Sequence, residues 1–324
     1  MAQDTPLLPL IPQLPGVLPP HPLIRAAGPH ADFAWGEFFA GQLRNRHTRI
    51  AYRRALTRFL DWLGREGVQL RDVMPAHVGL YFDQHAGSVP SKKLALAAIR
   101  RFFDILVTRH VIVLNPATSV RGERYQAIEG KTPEVGVEDA RKLLASIEPD
   151  SLAGKRDRAI IGTMIYTAAR VGAIAKLRRL HYYGDGIQHY LRFEEKGGKS
   201  RELPVRHDLQ ELITNYLVAA GLECASSARP LFCTLNGRTG RLTDRPFSAI
   251  DACRMLKKRL SAAGLSDRIS PHSFRVCTIT DLLSQGVALE DVQYLAGHAD
   301  PRTTRLYDRR QRRVTRNIVE RISV

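Results

Sequence analysis

The side chains with most to offer chemically lie towards the C-terminus. His272 and Arg275 sit three residues apart, His298 follows Gly297, and Tyr307 comes nine residues after that histidine. A spacing of three puts His272 and Arg275 on one helical face, so both can point at one ligand. Tyrosine titrates at about 10, so near neutrality it attacks only a strongly activated centre. A phosphodiester is such a centre, provided fixed donors meet the charge that grows on its non-bridging oxygens. Guanidinium groups suit that task because each forks onto two oxygens. Arg275 is one candidate, and Arg170, set among Ala168, Ala169, Gly172 and Ala173 with room for close approach, is the other. Either His272 or His298 could donate to the phosphate or take the tyrosine proton. The departing oxygen needs a proton as well, and Lys196 is a candidate donor on chemical grounds. The expectation is a phosphate-binding site with a tyrosine nucleophile.

The elements that must position these groups are mostly helical. Arg156 to Tyr166 reads as a strongly apolar core helix whose end delivers Arg170, preceded by an amphipathic helix from Val137 to Ile147. Three short strands follow, at Leu180 to Tyr183, Ile187 to Phe193 and Arg201 to Val205, and the turn from Lys196 to Lys199 puts Lys196 on a hairpin. Helices resume at Asp208 to Ala220, Pro246 to Ala263, Ser273 to Ser284 and Ala288 to Leu295. Thr303 or Thr304 is placed to cap a helix carrying Tyr307. In the tail from Arg309 to Val324, the residues Val314, Ile318 and Ile322 form one apolar stripe. Such a stripe needs a covering surface, in this subunit or another.

Upstream, residues 31–120 have helical periodicity throughout. Tyr52, Leu56, Phe59 and Leu63 fall on one stripe, and Ala95, Ile99, Phe102 and Leu106 on another. The outer faces carry Arg49, Arg53, Lys92, Lys93, Arg100 and Arg101, with few acids to balance them. Together with Lys199 and Arg201 on the hairpin, these are the candidate contacts to a nucleic-acid backbone. Residues 1–30 hold eight of the 18 prolines and read as an extended, flexible arm. Residues 121–132 read as a linker, leaving 133–324 as a second domain. The fold class expected is mainly α with a small antiparallel β-sheet.

Composition narrows the partner. Forty-nine Lys+Arg against 32 Asp+Glu give a formal net charge of +17, which draws a polyanion and makes double-stranded DNA the default partner. From Arg305 to Arg321 there are seven arginines and two acids, Asp308 and Glu320. The four cysteines show no ligand spacing and fit a reducing compartment, so neither a metal nor another cofactor is indicated. The N-terminus lacks a signal-peptide pattern and no apolar run is long enough to cross a bilayer, so the expected location is cytoplasmic or nucleoid-associated, without a membrane partner.

In order and spacing these stretches resemble the tyrosine recombinases, the phage integrase family that includes Cre, the Xer recombinases and lambda integrase. The run from Pro271 to Arg275 is similar to the family's His-x-x-Arg box and Leu295 to His298 to its Leu-Gly-His box, with Tyr307 at the usual distance beyond. Thr167 to Arg170 is similar to the Thr-Gly-Leu-Arg of the first box, and Lys196 to Lys199 to the β-hairpin lysine motif. The resemblance implies a helical, SAM-like core-binding domain and an α+β catalytic domain that clamp a DNA site. It implies that Arg170, Lys196, His272, Arg275 and His298 activate the phosphate while Tyr307 forms a covalent 3′-phosphotyrosyl link, without metal or ATP. It further implies a homo-tetramer exchanging strands through a Holliday junction, with the stripe of Val314, Ile318 and Ile322 docking in a neighbouring subunit, and leaves room for an accessory DNA-binding protein. Two positions depart from the family: Ala173 stands where an acid is usual, and Ala168 where glycine is usual.

Three other readings compete. A type IB topoisomerase-like or telomere-resolving enzyme would share the chemistry. A catalytically silent DNA-binding relative would share the fold, although all six expected positions hold competent residues. A metal-dependent nuclease using His272 and His298 lacks the acidic cluster it would need.

Overall fold

A computed structural model describes residues 19–124, 132–133, 135–194 and 200–307. The chain divides into two units, Met1–Gln126 and Ala127–Val324.

Among its described residues the first unit has helices and no strand. It comprises α1 (Pro22–Ala26), α2 (Pro29–Gly36) running into a π-helical turn (Glu37–Gln42), α3 (Arg46–Arg65), α4 (Pro75–Gln84) and α5 (Val89–Thr108). The expectation of an extended arm through residue 30 is corrected from Pro22 onward, while residues 1–18 lie outside the described residues. His21 caps α1 through its ring, Pro22 follows in the first turn, and Ile24 is fully buried. Proline in the first turn of a helix gives up a donor that has no intrahelical partner anyway, so a proline-rich stretch can still start a helix.

Both sequence stripes face inward. Leu56, Phe59 and Leu63 of α3 pack with Ile99, Phe102 and Leu106 of α5, and Trp35, Phe38 and Phe39 complete an aromatic core. Asn45 caps α3 by accepting from the backbone N–H groups of His47 and Thr48. Arg109 forks onto Glu37 at 2.7 and 2.8 Å, tying the end of α5 to the π-helical turn.

The second unit holds α6 (Val137–Ala145), α7 (Leu152–Thr167), the single-turn α8 (Val171–Ile174), α9 (His207–Ala219), α10 (Ala249–Ala262), α11 (Pro271–Ser284), α12 (Leu289–Ala296) and α13 (Pro301–Arg305). Its three expected strands form one antiparallel sheet, β1 (Tyr182–Gly184), β2 (His189–Glu194) and β3 (Ser200–Pro204). Leu191 and Phe193 of β2 and Leu203 of β3 turn one face into the core, beside the fully buried Ile160 and Ile161 of α7. A second pair, β4 (Cys233–Leu235) and β5 (Leu242–Pro246), was not expected. β5 is half exposed and lacks the alternation that marks a strand, so its pairing is set by the hairpin and not by pattern.

One buried ion cluster supports α7. Asp157 accepts from Arg156 at 2.7 Å and from Arg259 of α10 at 2.7 Å, while the Arg156 guanidinium lies over the Phe247 ring. No helix among the described residues is long and apolar enough to cross a membrane.

Candidate active site around Tyr307

The site is assembled where the ends of α7 and α12 meet the start of α11. After Thr167 the chain turns through Ala168 in the left-handed region, φ 49° and ψ 20°. A side-chain-bearing residue there costs on the order of 1–2 kcal/mol. Glycine escapes that cost, which explains why a glycine is natural at this turn. Arg275, buried on α11, donates to the Ala168 carbonyl and braces the turn. Thr278 adds a second tie between the same helices, its hydroxyl donating to Ile165 O at 2.6 Å. The reversal presents Arg170 on the surface, where its Nη1 reaches the Gly297 carbonyl at 3.5 Å. Among the described residues no carboxylate pairs with Arg170, in keeping with Ala173 standing where an acid would have been one helical turn away.

From α11 the His272 Nε2 lies 3.3 Å from the Tyr307 hydroxyl. On the other side His298 stacks on the Tyr307 ring, with centroids 5.7 Å apart and planes 10° from parallel. His298 is carried past the left-handed Gly297 that ends α12. Its Nδ1 lies 2.9 Å from the hydroxyl of Thr304. Tyr307 is itself buried against Val276, Ile279, Val292 and Ala296, and its carbonyl accepts from Thr280 at 3.4 Å.

The expected threonine cap is corrected at this point. Asp300 caps α13 by accepting from Arg302 N–H, and Tyr307 lies in the turn after that helix, its N–H bonded to Thr304 O at 3.0 Å. Aspartate is as good a cap as threonine, and Thr304, fully buried, is occupied by His298 instead.

Electrostatics set the protonation of the two histidines. Burial, then the charges of Arg275 and Arg170, hold His272 below its ordinary value. For His298 burial and then Arg275, Arg170, His272 and Arg201 push it down to about 3. Both rings are therefore neutral near pH 7, and each has one nitrogen free of its proton.

Of the six residues singled out for chemistry, the structure brings Arg170, His272, Arg275, His298 and Tyr307 together in one unit. Lys196 lies outside the described residues, as do Lys199 and the stripe of Val314, Ile318 and Ile322. Arg201 turns inward: it is 5 % exposed, with its guanidinium over the Phe193 ring opposite it in the β2–β3 ladder. Alternation held the signal for this, since Arg201 shares parity with the apolar Leu203 and Val205. In the first unit Arg49 donates twice to Leu43 O, Arg100 donates to Ala117 O and Val120 O, and Lys92 pairs with Glu123. Arg53 is half-buried on α3, while Lys93 and Arg101 are exposed on α5. No cluster of metal-ligating side chains occurs among the described residues.

Against this geometry, comparison with known proteins is direct. Residues 135–313 match the profile of the phage integrase family, and residues 40–110 that of the N-terminal SAM-like domain of phage integrases. The chain belongs to the phage integrase family. It is similar to the tyrosine recombinase XerD of Chlorobaculum tepidum, 29% identical over 270 residues that cover 81% of this chain and 85% of that one. Among solved structures, XerH recombinase bound to its palindromic difH substrate superposes with a TM-score of 0.65 at 19% identity, covering 80% of this chain and 75% of that one. A lambda integrase tetramer bound to a Holliday junction gives 0.63 at 17% identity, covering 88% and 79%. At those identities the two structures establish the shared fold.

Proposed function

We propose that this chain is a site-specific tyrosine recombinase that cuts and rejoins DNA strands. The observation that carries the reading is the Tyr307 hydroxyl held 3.3 Å from a neutral His272, with Arg275, Arg170 and His298 around it. A scissile phosphate docks against the arginines, which meet the charge on its non-bridging oxygens. His272 takes the phenolic proton as the tyrosine oxygen bonds to phosphorus and the bond to the 5′-oxygen breaks. That choice favours His272 over His298, whose Nδ1 is engaged elsewhere. Lys196 is assigned the proton for the departing 5′-oxygen. A free 5′-hydroxyl then attacks the 3′-phosphotyrosine and reverses the steps, so the energy of the phosphodiester is retained and neither ATP nor a metal is consumed.

The wider assembly is part of the same proposal. A net charge of +17 suits a protein that wraps double-stranded DNA, and the lambda integrase relative on a Holliday junction is a tetramer. We assign this chain a homo-tetramer in which the stripe of Val314, Ile318 and Ile322 docks in trans. Deleting residues 312–324 should then weaken pairing of sites while sparing single-site binding; an unchanged assembly state would sink that assignment. An accessory protein setting direction, and action at the nucleoid, fit this scheme.

The test of the chemistry is a nicked duplex that traps the cleaved state, incubated in EDTA with wild type and with Tyr307→Phe. Wild type should give a denaturant-resistant adduct at a 3′-phosphate, and the variant should bind equally without forming one. Adduct formed by the variant, or none formed by wild type on DNA that it binds specifically, would overturn the reading.

A further inference from the structure

Thr304 has no part in the reaction as written, yet it touches both halves of the site. It has no exposed surface, its hydroxyl faces His298 Nδ1 at 2.9 Å, and its carbonyl accepts the Tyr307 N–H at 3.0 Å. The direction of the side-chain bond follows from counting donors. Among the described residues the Thr304 hydroxyl has no hydrogen-bond partner besides His298. Were Nδ1 protonated, the hydroxyl hydrogen would be left without an acceptor among the described residues, a costly arrangement. With Nδ1 as acceptor, the ring proton sits on Nε2. A phosphate offers acceptors only, so this is the tautomer that can assist it.

We propose that Thr304 is a positioning residue: its hydroxyl donates to His298 Nδ1 and pins the Nε2–H tautomer, while its carbonyl ties Tyr307 to the same buried point. Histidine and nucleophile then move as one piece, and the ring meets a phosphate oxygen as a donor without having to reorient. The tautomer does not depend on the proposed recombinase activity; its use on a phosphate rests on that reading.

Two readouts separate them. In the free, full-length protein labelled with ¹⁵N-histidine, His298 is assigned by comparison with His298→Gln. Wild type and Thr304→Ser should show a protonated Nε2 and an unprotonated, hydrogen-bonded Nδ1, and Thr304→Val should show mixed tautomers. A protonated Nδ1 in wild type overturns the proposal outright, even if Thr304→Val fails to fold. In single-turnover adduct formation on a nicked duplex, run well below the variant's melting temperature, Thr304→Val should lose about tenfold to a hundredfold in rate with DNA affinity held, a part of the loss that removing one oriented donor outright would cause. Thr304→Ser should restore the rate to within about threefold, the residual cost being a missing methyl group and not a missing donor. A Thr304→Val enzyme as fast as wild type would also overturn the proposal. If wild type itself forms no adduct, the assignment of activity fails, and the spectrum of the free protein still decides the role of Thr304.

Discussion

At the scale of single residues, the site is governed by the burial of the two histidines and by the charge the two arginines add to it. Burial and positive charge keep both rings neutral near pH 7, so each has a nitrogen free of its proton, as the proposed roles of base at Tyr307 and neutral donor require. This has a thermodynamic consequence. The His298 pKa is lowered on folding from 6.5 to about 3, so between those values the unfolded chain binds a proton there that the folded one does not. Stability therefore falls as pH drops below the unfolded value, and the loss stops only near the folded one. His298→Gln should reduce the pH dependence of unfolding free energy between about pH 5 and 6 by about 1.2 kcal/mol per pH unit, the linkage of nearly one proton. Urea titrations of both proteins at several pH values check this, and identical slopes would mean that the ring is protonated when folded.

At the scale of elements, α7 bears the load, because its end sets both the Ala168 turn and Arg170. Two features keep it in place. The Asp157 carboxylate joins α7 to α10 and neutralises the buried Arg156. Asp157→Ala should cost about 3–5 kcal/mol in urea unfolding, since it strands a buried guanidinium; a cost below about 1 kcal/mol would mark the pair as solvated. Near the start of α7, a Cβ at Gly154 would fall 1.7 Å from the Glu148 carbonyl oxygen. Gly154→Ala should therefore destabilise by about 1–3 kcal/mol, against the gain of about 1 kcal/mol that alanine brings to an open helix position. A raised melting temperature would show that the preceding loop yields freely.

At the scale of the molecule, two units divide the work, one helical throughout its described residues and one that holds the five described site residues. The helical core contains Trp35, Phe38, Phe39, Phe59, Phe102 and Phe103, enough apolar surface for independent folding. Residues 1–126 alone should unfold cooperatively in urea; a gradual loss of helix signal would show dependence on the second unit. Charge acts at this scale too. With +17 on the chain, affinity for duplex DNA should fall by about a thousandfold or more between about 50 and 200 mM salt if six or more phosphates are contacted. A flat response would remove the electrostatic footing of DNA binding.

The sequence by itself determined the family, the candidate site residues and most of the helices. Each rests on short-range information: a stripe repeats every turn, and a tyrosine needs arginines and histidines whatever holds them. The same local reasoning misjudged the start of the first unit, where Pro22 begins a helix, and overlooked the β4–β5 hairpin, whose strands have no periodicity. Only the tertiary structure decided that His272 and not His298 faces the tyrosine hydroxyl, that Arg201 turns inward, and that Thr304 is spent on a ring nitrogen instead of a helix cap. Those outcomes depend on distances between residues as far apart in the chain as Ala168 and Arg275. Such distances are fixed by how buried helices pack, and no local pattern encodes them.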